Sequence, residues 1–263
     1  MPLVEIRHLS KTFPLGESLF EGAGRGEVRA VDDVSLDIET GETLGLVGES
    51  GSGKSTLGRL ILRLVEPSSG TIIFEGKDWL AATGGDMRRA RRDMQIIFQD
   101  PFGSLDPRMR VEAVVSEPLI IHERLTGAEC RARTAELLHA VGLDPSAMQR
   151  FPHEFSGGQR QRIGIARALA LRPKFVVADE PVSALDVSVA AQIVNLLAQL
   201  QRQFGLTYLF ISHSMPLVRY LANRIAVMYR GRIVEIGSTR QITLDPQHPY
   251  TRSLLEATPG VEA

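Results

Sequence analysis

An α/β fold is predicted by three observations. Short apolar runs of strand type alternate with longer helical patterns along most of the chain. One such run, Leu44-Gly45-Leu46-Val47, leads directly into the glycine-rich loop Gly48-Glu49-Ser50-Gly51-Ser52-Gly53-Lys54-Ser55 and then into an apolar-rich helix. Another, Phe175-Val176-Val177-Ala178, is apolar throughout, as expected of a central parallel strand.

The elements follow in order. Leu3-Val4-Glu5-Ile6-Arg7 alternates like a half-buried strand, as does Val34-Ser35-Leu36-Asp37-Ile38 before the turn signal Thr40-Gly41-Glu42. Between them, residues 14–27 are glycine-rich and read as an excursion. The spacing after the glycine-rich loop predicts a helix over 55–65. A strand between glycine breaks follows at Gly70-Thr71-Ile72-Ile73-Phe74-Glu75-Gly76, and another apolar strand is expected at 94–98. Residues 100–107 hold two prolines, a glycine and two aspartates and read as an ordered, turn-rich segment. Helical patterning dominates 111–171, so this stretch is expected to form an inserted helical subdomain. A long amphipathic helix is expected over 187–204. Tyr208-Leu209-Phe210-Ile211 reads as a second buried strand, and residues 224–236 as a hairpin turning at Arg230-Gly231-Arg232. There is no internal repeat and no low-complexity tract.

Composition narrows the function classes. A chain of 263 residues buries one large core or two small ones. A net charge of −1 and a pI near 6.6 argue against electrostatic binding to nucleic acid. Cys130 is the one cysteine, so no internal disulfide forms; its charged helical surroundings predict a half-buried, unreactive thiol. Residues 1–10 lack the apolar core of a signal peptide, and no apolar run reaches about 18 residues. A cytosolic location is the resulting expectation.

The chemistry-bearing residues begin with the loop at 48–55, which fits the G-x-x-x-x-G-K-[ST] pattern. Its glycines allow backbone N–H groups to face a polyphosphate, and the following helix N-terminus adds partial positive charge. Lys54 has the reach for the β- and γ-phosphates, and the Ser55 hydroxyl suits Mg²⁺. Asp179 and Glu180 close the apolar strand, at the sheet edge where ligands bind in α/β folds. In isolation this is an ordinary acidic turn. After a phosphate loop it reads as a Mg²⁺ carboxylate, Asp179, followed by a general base for water, Glu180. Phe155-Ser156-Gly157-Gly158-Gln159 opens a helix that runs to Ala170, with Ser156 as N-cap and two glycines leaving the N-terminus open to an anion.

With Ser156-Gly157-Gly158-Gln159 beside the phosphate loop, the chain resembles the ATPase subunits of ABC transporters over nearly its whole length. The resemblance implies a P-loop NTPase (RecA-like) core with an N-terminal antiparallel β subdomain and an inserted α-helical subdomain. The parts fall near 1–100 and 172–240 (core and β subdomain), 101–171 (helical subdomain) and 241–263 (C-terminal tail), in one domain of 1–263. It also implies that ATP and Mg²⁺ are bound, with Gly48, Ser50, Gly51, Gly53, Lys54, Ser55 and Thr56 around the phosphates. By the same resemblance Ser156, Gly157, Gly158 and Gln159 meet the γ-phosphate held by an opposite subunit. Gln99 is similar to the Q-loop glutamine that senses Mg²⁺ and the attacking water, and Ser183-Ala184-Leu185-Asp186 to the D-loop at the subunit seam. His213 resembles the switch histidine, which contacts the γ-phosphate and orients Glu180. Phe13 resembles the aromatic that stacks on adenine.

A narrower resemblance concerns the solute. His248-Pro249-Tyr250-Thr251 with Leu254-Leu255 and Pro259 is similar to the tail of oligopeptide, dipeptide and nickel importers. The segment from Phe98-Gln99-Asp100-Pro101 to Asp106-Pro107-Arg108, and the insertion at 14–29, resemble the second of the two unequal ATPase subunits in those systems. The implied partners are a paralogous ATPase subunit or a second copy, two membrane permease subunits and, indirectly, an external solute-binding protein. The implied place is peripheral, on the cytoplasmic face of the inner membrane. Two departures stand out. Ser214 occupies a position where the family usually has aspartate, with Pro216 close behind. No cysteine follows Cys130, so no iron–sulfur cluster is expected in the tail. Competing readings are a soluble ABC ATPase in repair or translation, a non-catalytic nucleotide-binding regulator, and an importer subunit for nickel or another solute.

Overall fold

The computed structural model describes residues 2–14, 27–100, 103–123 and 125–257. The first elements are β1 (Pro2–Pro14), β2 (Glu27–Glu39), β3 (Thr43–Val47), α1 (Lys54–Ile61), β4 (Ser69–Phe74) and β5 (Lys77–Asp78). Then come α2 (Gly84–Asp93), β6 (Met94–Ile97), α3 (Val111–Glu123), α4 (Gly127–Ala140), two short 3₁₀ turns and α5 (Gly157–Leu169). The rest are β7 (Phe175–Asp179), α6 (Val187–Phe204), β8 (Thr207–Ile211), α7 (Met215–Leu221), β9 (Arg224–Tyr229), β10 (Arg232–Ser238), α8 (Thr239–Leu244) and α9 (Pro249–Glu256).

These elements group into two compact units, one of residues 1–83 with 213–263, the other of residues 84–212. In the first unit, β2, β1, β4 and β5 form an antiparallel sheet in that order. Buried Val4, Ile6, Leu9, Leu36, Ile38 and Ile72 alternate with polar residues, so one face of that sheet makes a core. In the same unit β9 pairs parallel with β3 and antiparallel with β10. β3 is buried at every residue, as a strand covered on both faces must be. Gly45 is required there, because a Cβ would lie 2.3 Å from Val218 Cγ1 of α7.

In the second unit β7 runs between β6 and β8, parallel to both. Its five residues are all buried, as is the whole of β8. Helices α5 and α6 carry apolar stripes, with Ile163, Ile165 and Leu169 on α5 and Ile193, Leu197 and Leu200 on α6 fully or nearly fully buried. α3, α4 and α5 pack together as a helical group, consistent with the patterning over 111–171.

Several boundaries differ from the sequence expectation. α1 ends at Ile61, not Val65, because Arg63 adopts φ 52° and the chain turns out of the helix. β1 and β2 are much longer than their alternating cores. Register shifts and the positive φ of His8 and Asp33 break the two-residue alternation that a sequence reading depends on. Polar α2 and short α8 carry too few apolar residues to show a periodic stripe. Cys130 is buried, not half-buried, because its side of α4 faces the helical group. Residues 15–26 of the glycine-rich excursion, Pro101, Phe102 and Pro259 lie outside the described residues.

Candidate functional site

In the first unit the glycine-rich loop leaves buried β3 and enters α1. Gly53 stands at the α1 N-cap with φ 105°, and a Cβ there would sit 2.1 Å from the Ala30 carbonyl oxygen. Only glycine fits, and glycine brings no side chain to cap the helix. The helix N-terminus therefore keeps its partial positive charge facing the loop. Lys54 is 4% exposed. Its Nζ donates to the carbonyls of Gly48 at 2.8 Å and Glu49 at 2.7 Å and to Ser52 Oγ at 3.3 Å. The ammonium thus lies under the loop, held by dipoles that an anionic phosphate would outcompete. Gly48 is buried, Ser50 and Gly51 are exposed, and Ser55 and Thr56 are half-buried in the first turn of α1.

Phe13 lies near the end of β1 opposite Val28, 38% exposed as a residue, with Lys11 Nζ 5.1 Å from its ring centroid. An exposed aromatic of this kind presents a stacking face and is not a core residue. His213 is exposed just before α7. Ser214 takes the N-cap position of α7 without a side-chain cap bond, and Pro216 sits in the first helical turn, where its missing N–H costs no helix bond. The Ser214–Pro216 departure therefore starts a helix directly after His213.

In the second unit Asp179 ends β7 at 3% exposure. Glu180 follows with φ 46°, a left-handed conformation that is unfavourable for a residue with a Cβ and clusters at functional sites. The turn is held by Glu180 N–H donating to Ile211 O at 3.0 Å and Ser183 N–H to Glu180 O at 3.2 Å. Gln99 reaches Glu180, with Nε2 3.4 Å from Oε2. The structure thus brings together two residues separated by 81 positions.

The α5 N-terminus is closed by a reciprocal capping box. Ser156 Oγ accepts from the Gln159 N–H at 3.4 Å, and Gln159 Oε1 accepts from the Ser156 N–H at 3.0 Å. Gly157 and Gly158 face the start of α6: their added Cβ atoms would lie 3.3 Å from Leu185 Cδ2 and 2.4 Å from Val189 Cγ1. Asp186 caps α6, accepting from the Val189 N–H at 3.0 Å and Ser188 Oγ at 2.8 Å. Those bonds hold its carboxyl below the usual range. Two helix N-termini therefore meet at one exposed place, and the Asp186 carboxylate is engaged in a local task. A cleft of about 230 Å³ in the same unit is lined by Phe98, Ser104, Leu105, Ile121, Gln161 and Arg167, among others. Arg167 fixes one side of it, donating to Ser104 O at 3.0 Å and Glu117 Oε2 at 2.7 Å.

One contact had no signal in the sequence. Tyr250 of α9 accepts the N–H of Glu49, in the glycine-rich loop, at 3.0 Å across 201 positions. Its motif at 248–251 marked a family tail but gave no hint of what it touches.

Residues 31–183, more than half of the chain, match the family described as ABC transporter. The chain is 56% identical over 261 residues to the glutathione import ATP-binding protein GsiA of Escherichia coli strain K12 and to that of Shigella boydii serotype 4. Those matches cover 99% of this chain but 42% of each relative, so the chain spans about two-fifths of their length. Among solved structures, a post-hydrolysis dimer of the ATP-binding cassette MJ0796 bound to ADP and Pi superposes with a TM-score of 0.79 at 31% identity. That match covers 90% of this chain and 99% of that one. CbiO1 from Clostridium perfringens, part of the ABC transporter complex cbiONQ, gives a TM-score of 0.79 at 26% identity over 93% of this chain and 91% of that one. By a family match over more than half of its residues, with the shared fold beside it, this chain belongs to the ABC transporter family.

Proposed function

We propose that the chain is the ATP-hydrolysing subunit of an ABC importer for peptides or related small solutes. The observation that carries this reading is the glycine-rich loop closed over a buried Lys54 at an uncapped helix N-terminus. Its geometry suits a polyphosphate and little else. The glutathione import proteins support the peptide-like solute, since glutathione is a small peptide.

Each residue then has a role. Backbone N–H groups of the loop and the side chains of Lys54, Ser55 and Thr56 bind the phosphates, and Phe13 stacks on the base. Glu180, held in its strained turn, takes a proton from the attacking water, with Gln99 beside it and His213 orienting the reacting groups. The donor set of Ser55 hydroxyl, Asp179 carboxylate and Gln99 amide oxygen fits Mg²⁺, a hard cation. When bound, Mg²⁺ neutralises phosphate charge.

Ser156, Gly157, Gly158 and Gln159 act on the nucleotide of an opposite subunit, with Asp186 and its loop at the seam. The dimeric MJ0796 cassette supports such a pairing. The opposite subunit is a paralogue or a second copy. Permease subunits dock at the 230 Å³ cleft beside Phe98 and Ile121, both well exposed. The chain would work at the cytoplasmic face of the membrane; among the described residues no helix is long and apolar enough to cross one.

The test is phosphate release from Mg²⁺–ATP by the chain, alone and with its partners, against Lys54→Ala and Glu180→Gln. Nucleotide-dependent phosphate release that both substitutions remove is expected. Release insensitive to both would reject the reading.

A further inference from the structure

We propose that Tyr250 of α9 is a positioning residue for the phosphate loop, fixing the peptide group on which the Lys54 ammonium rests. This rests on the nucleotide-binding reading above and extends it to the C-terminal helix.

The contact involves a single peptide unit. The Glu49 N–H donates to the Tyr250 hydroxyl at 3.0 Å, and the carbonyl of that same peptide, Gly48 O, accepts from Lys54 Nζ at 2.8 Å. A peptide hydrogen-bonded at both ends is polarised, so each bond strengthens the other and the plane is fixed. When nucleotide arrives, the Lys54 ammonium, with its three N–H donors, meets a phosphate from this resting place. The orientation of the Gly48–Glu49 peptide therefore sets both where the ammonium waits and the shape of the loop rim.

Tyr250 is itself held from two sides. Its ring packs on Tyr229, at the end of β9, with centroids 4.2 Å apart and planes tilted by 33°. Its backbone is placed by the turn before α9. The Glu235 carboxylate of β10 accepts the N–H groups of Gln247 at 2.8 Å and His248 at 3.1 Å, and His248 Nδ1 accepts the Tyr250 N–H at 3.2 Å. Thr251, the next residue, is fully buried. Burial pushes the phenol's pKa up. Such anchoring places one hydroxyl on one loop amide. The amide itself belongs to an exposed residue, so losing the hydroxyl leaves that N–H to water and spares the core.

Tyr250→Phe in the full chain is the decisive variant, because it keeps the ring on Tyr229 and removes only the oxygen. The melting temperature should stay within about 2 °C of wild type. Affinity for Mg²⁺–ATP by calorimetry should fall by about three- to ten-fold, because a loop whose peptide plane is no longer fixed must be ordered when nucleotide binds. The amide resonance of Glu49 should move in the nucleotide-free protein, which reports the loss of this one bond; a fall in affinity at unchanged melting temperature is what a purely structural tyrosine would not give. At saturating ATP the turnover number should stay within about two-fold, because the groups that act on water are untouched. Tyr229→Ala, which removes the ring's support, should lower affinity in the same direction. Wild-type nucleotide binding that Lys54→Ala abolishes but Tyr250→Phe leaves unchanged would overturn the role of Tyr250 alone. Absence of binding in the wild-type chain would overturn the nucleotide reading and this inference with it.

Discussion

At the residue scale, substitutions of Glu180 and Lys54 test the proposed turnover and binding roles separately. Glu180→Gln preserves the shape and the left-handed backbone cost of the native residue, so folding stability should not change. An amide cannot take a proton from water, and loss of a general base typically costs about 10²–10⁴-fold in rate. Nucleotide affinity should be retained, so the two readouts part; steady-state hydrolysis close to wild type would remove Glu180 from the role of base. Lys54→Ala should fail earlier. The buried ammonium satisfies two loop carbonyls and, in the proposed complex, phosphate charge as well. Calorimetric titration should show weak or no binding of Mg²⁺–ATP. Wild-type affinity in this variant would contradict the phosphate-loop reading of residues 48–55.

At the scale of elements, the meeting of α5 and α6 depends on Gly158. A methyl group there would lie 2.4 Å from Val189 Cγ1, on the helix that Asp186 caps. Gly158→Ala should push α5 and α6 apart at their N-termini and destabilise the protein by about 1–3 kcal/mol, the usual cost of overpacking. Urea denaturation measures it, and an unchanged midpoint would show that Val189 yields freely.

The turn before α9 should respond to acid. Partial burial pushes the Glu235 carboxyl up, but several hydrogen bonds, that of the Gln247 N–H first among them, outweigh it and hold it below the usual range. A depressed folded pKa contributes stability that is fully present above the unfolded value, about 4.3, and is lost as pH falls through the lower folded value. Wild type should therefore melt above Glu235→Gln at pH 7, and the gap should narrow as pH falls below about 4. A gap that is constant with pH would assign the effect to shape and not to charge.

For the whole molecule, the proposal that Ser156, Gly157 and Gly158 serve an opposite subunit makes activity a property of an assembly. The chain alone should be a poor ATPase, and adding a paralogous subunit and two permease subunits should raise its rate. Rate per molecule measured against concentration decides this. A high, concentration-independent rate for the isolated chain would mean that one subunit completes the site. Strong concentration dependence of the chain alone would favour self-pairing over a paralogue.

Sequence alone determined what is local. The glycine-rich loop is legible because its glycines, lysine and serine lie close together and their backbone requirements leave few substitutes; Gly53 at φ 105° shows why. β7, β8 and α6 were legible because an unbroken apolar run or a sustained 3.6-residue stripe leaves one way to bury it. The long, bulged β1 and β2 and the polar α2 were not, because register shifts and low apolar content erase the period. The tertiary structure alone decided which distant residues meet. Gln99 reaches Glu180, Gly158 leaves room for Val189, and Tyr250 closes on Glu49. Each of these depends on two segments being carried to one point by strands and helices between them. A hydrogen bond or a packing contact is set by distances of a few ångströms, which no spacing along the chain encodes.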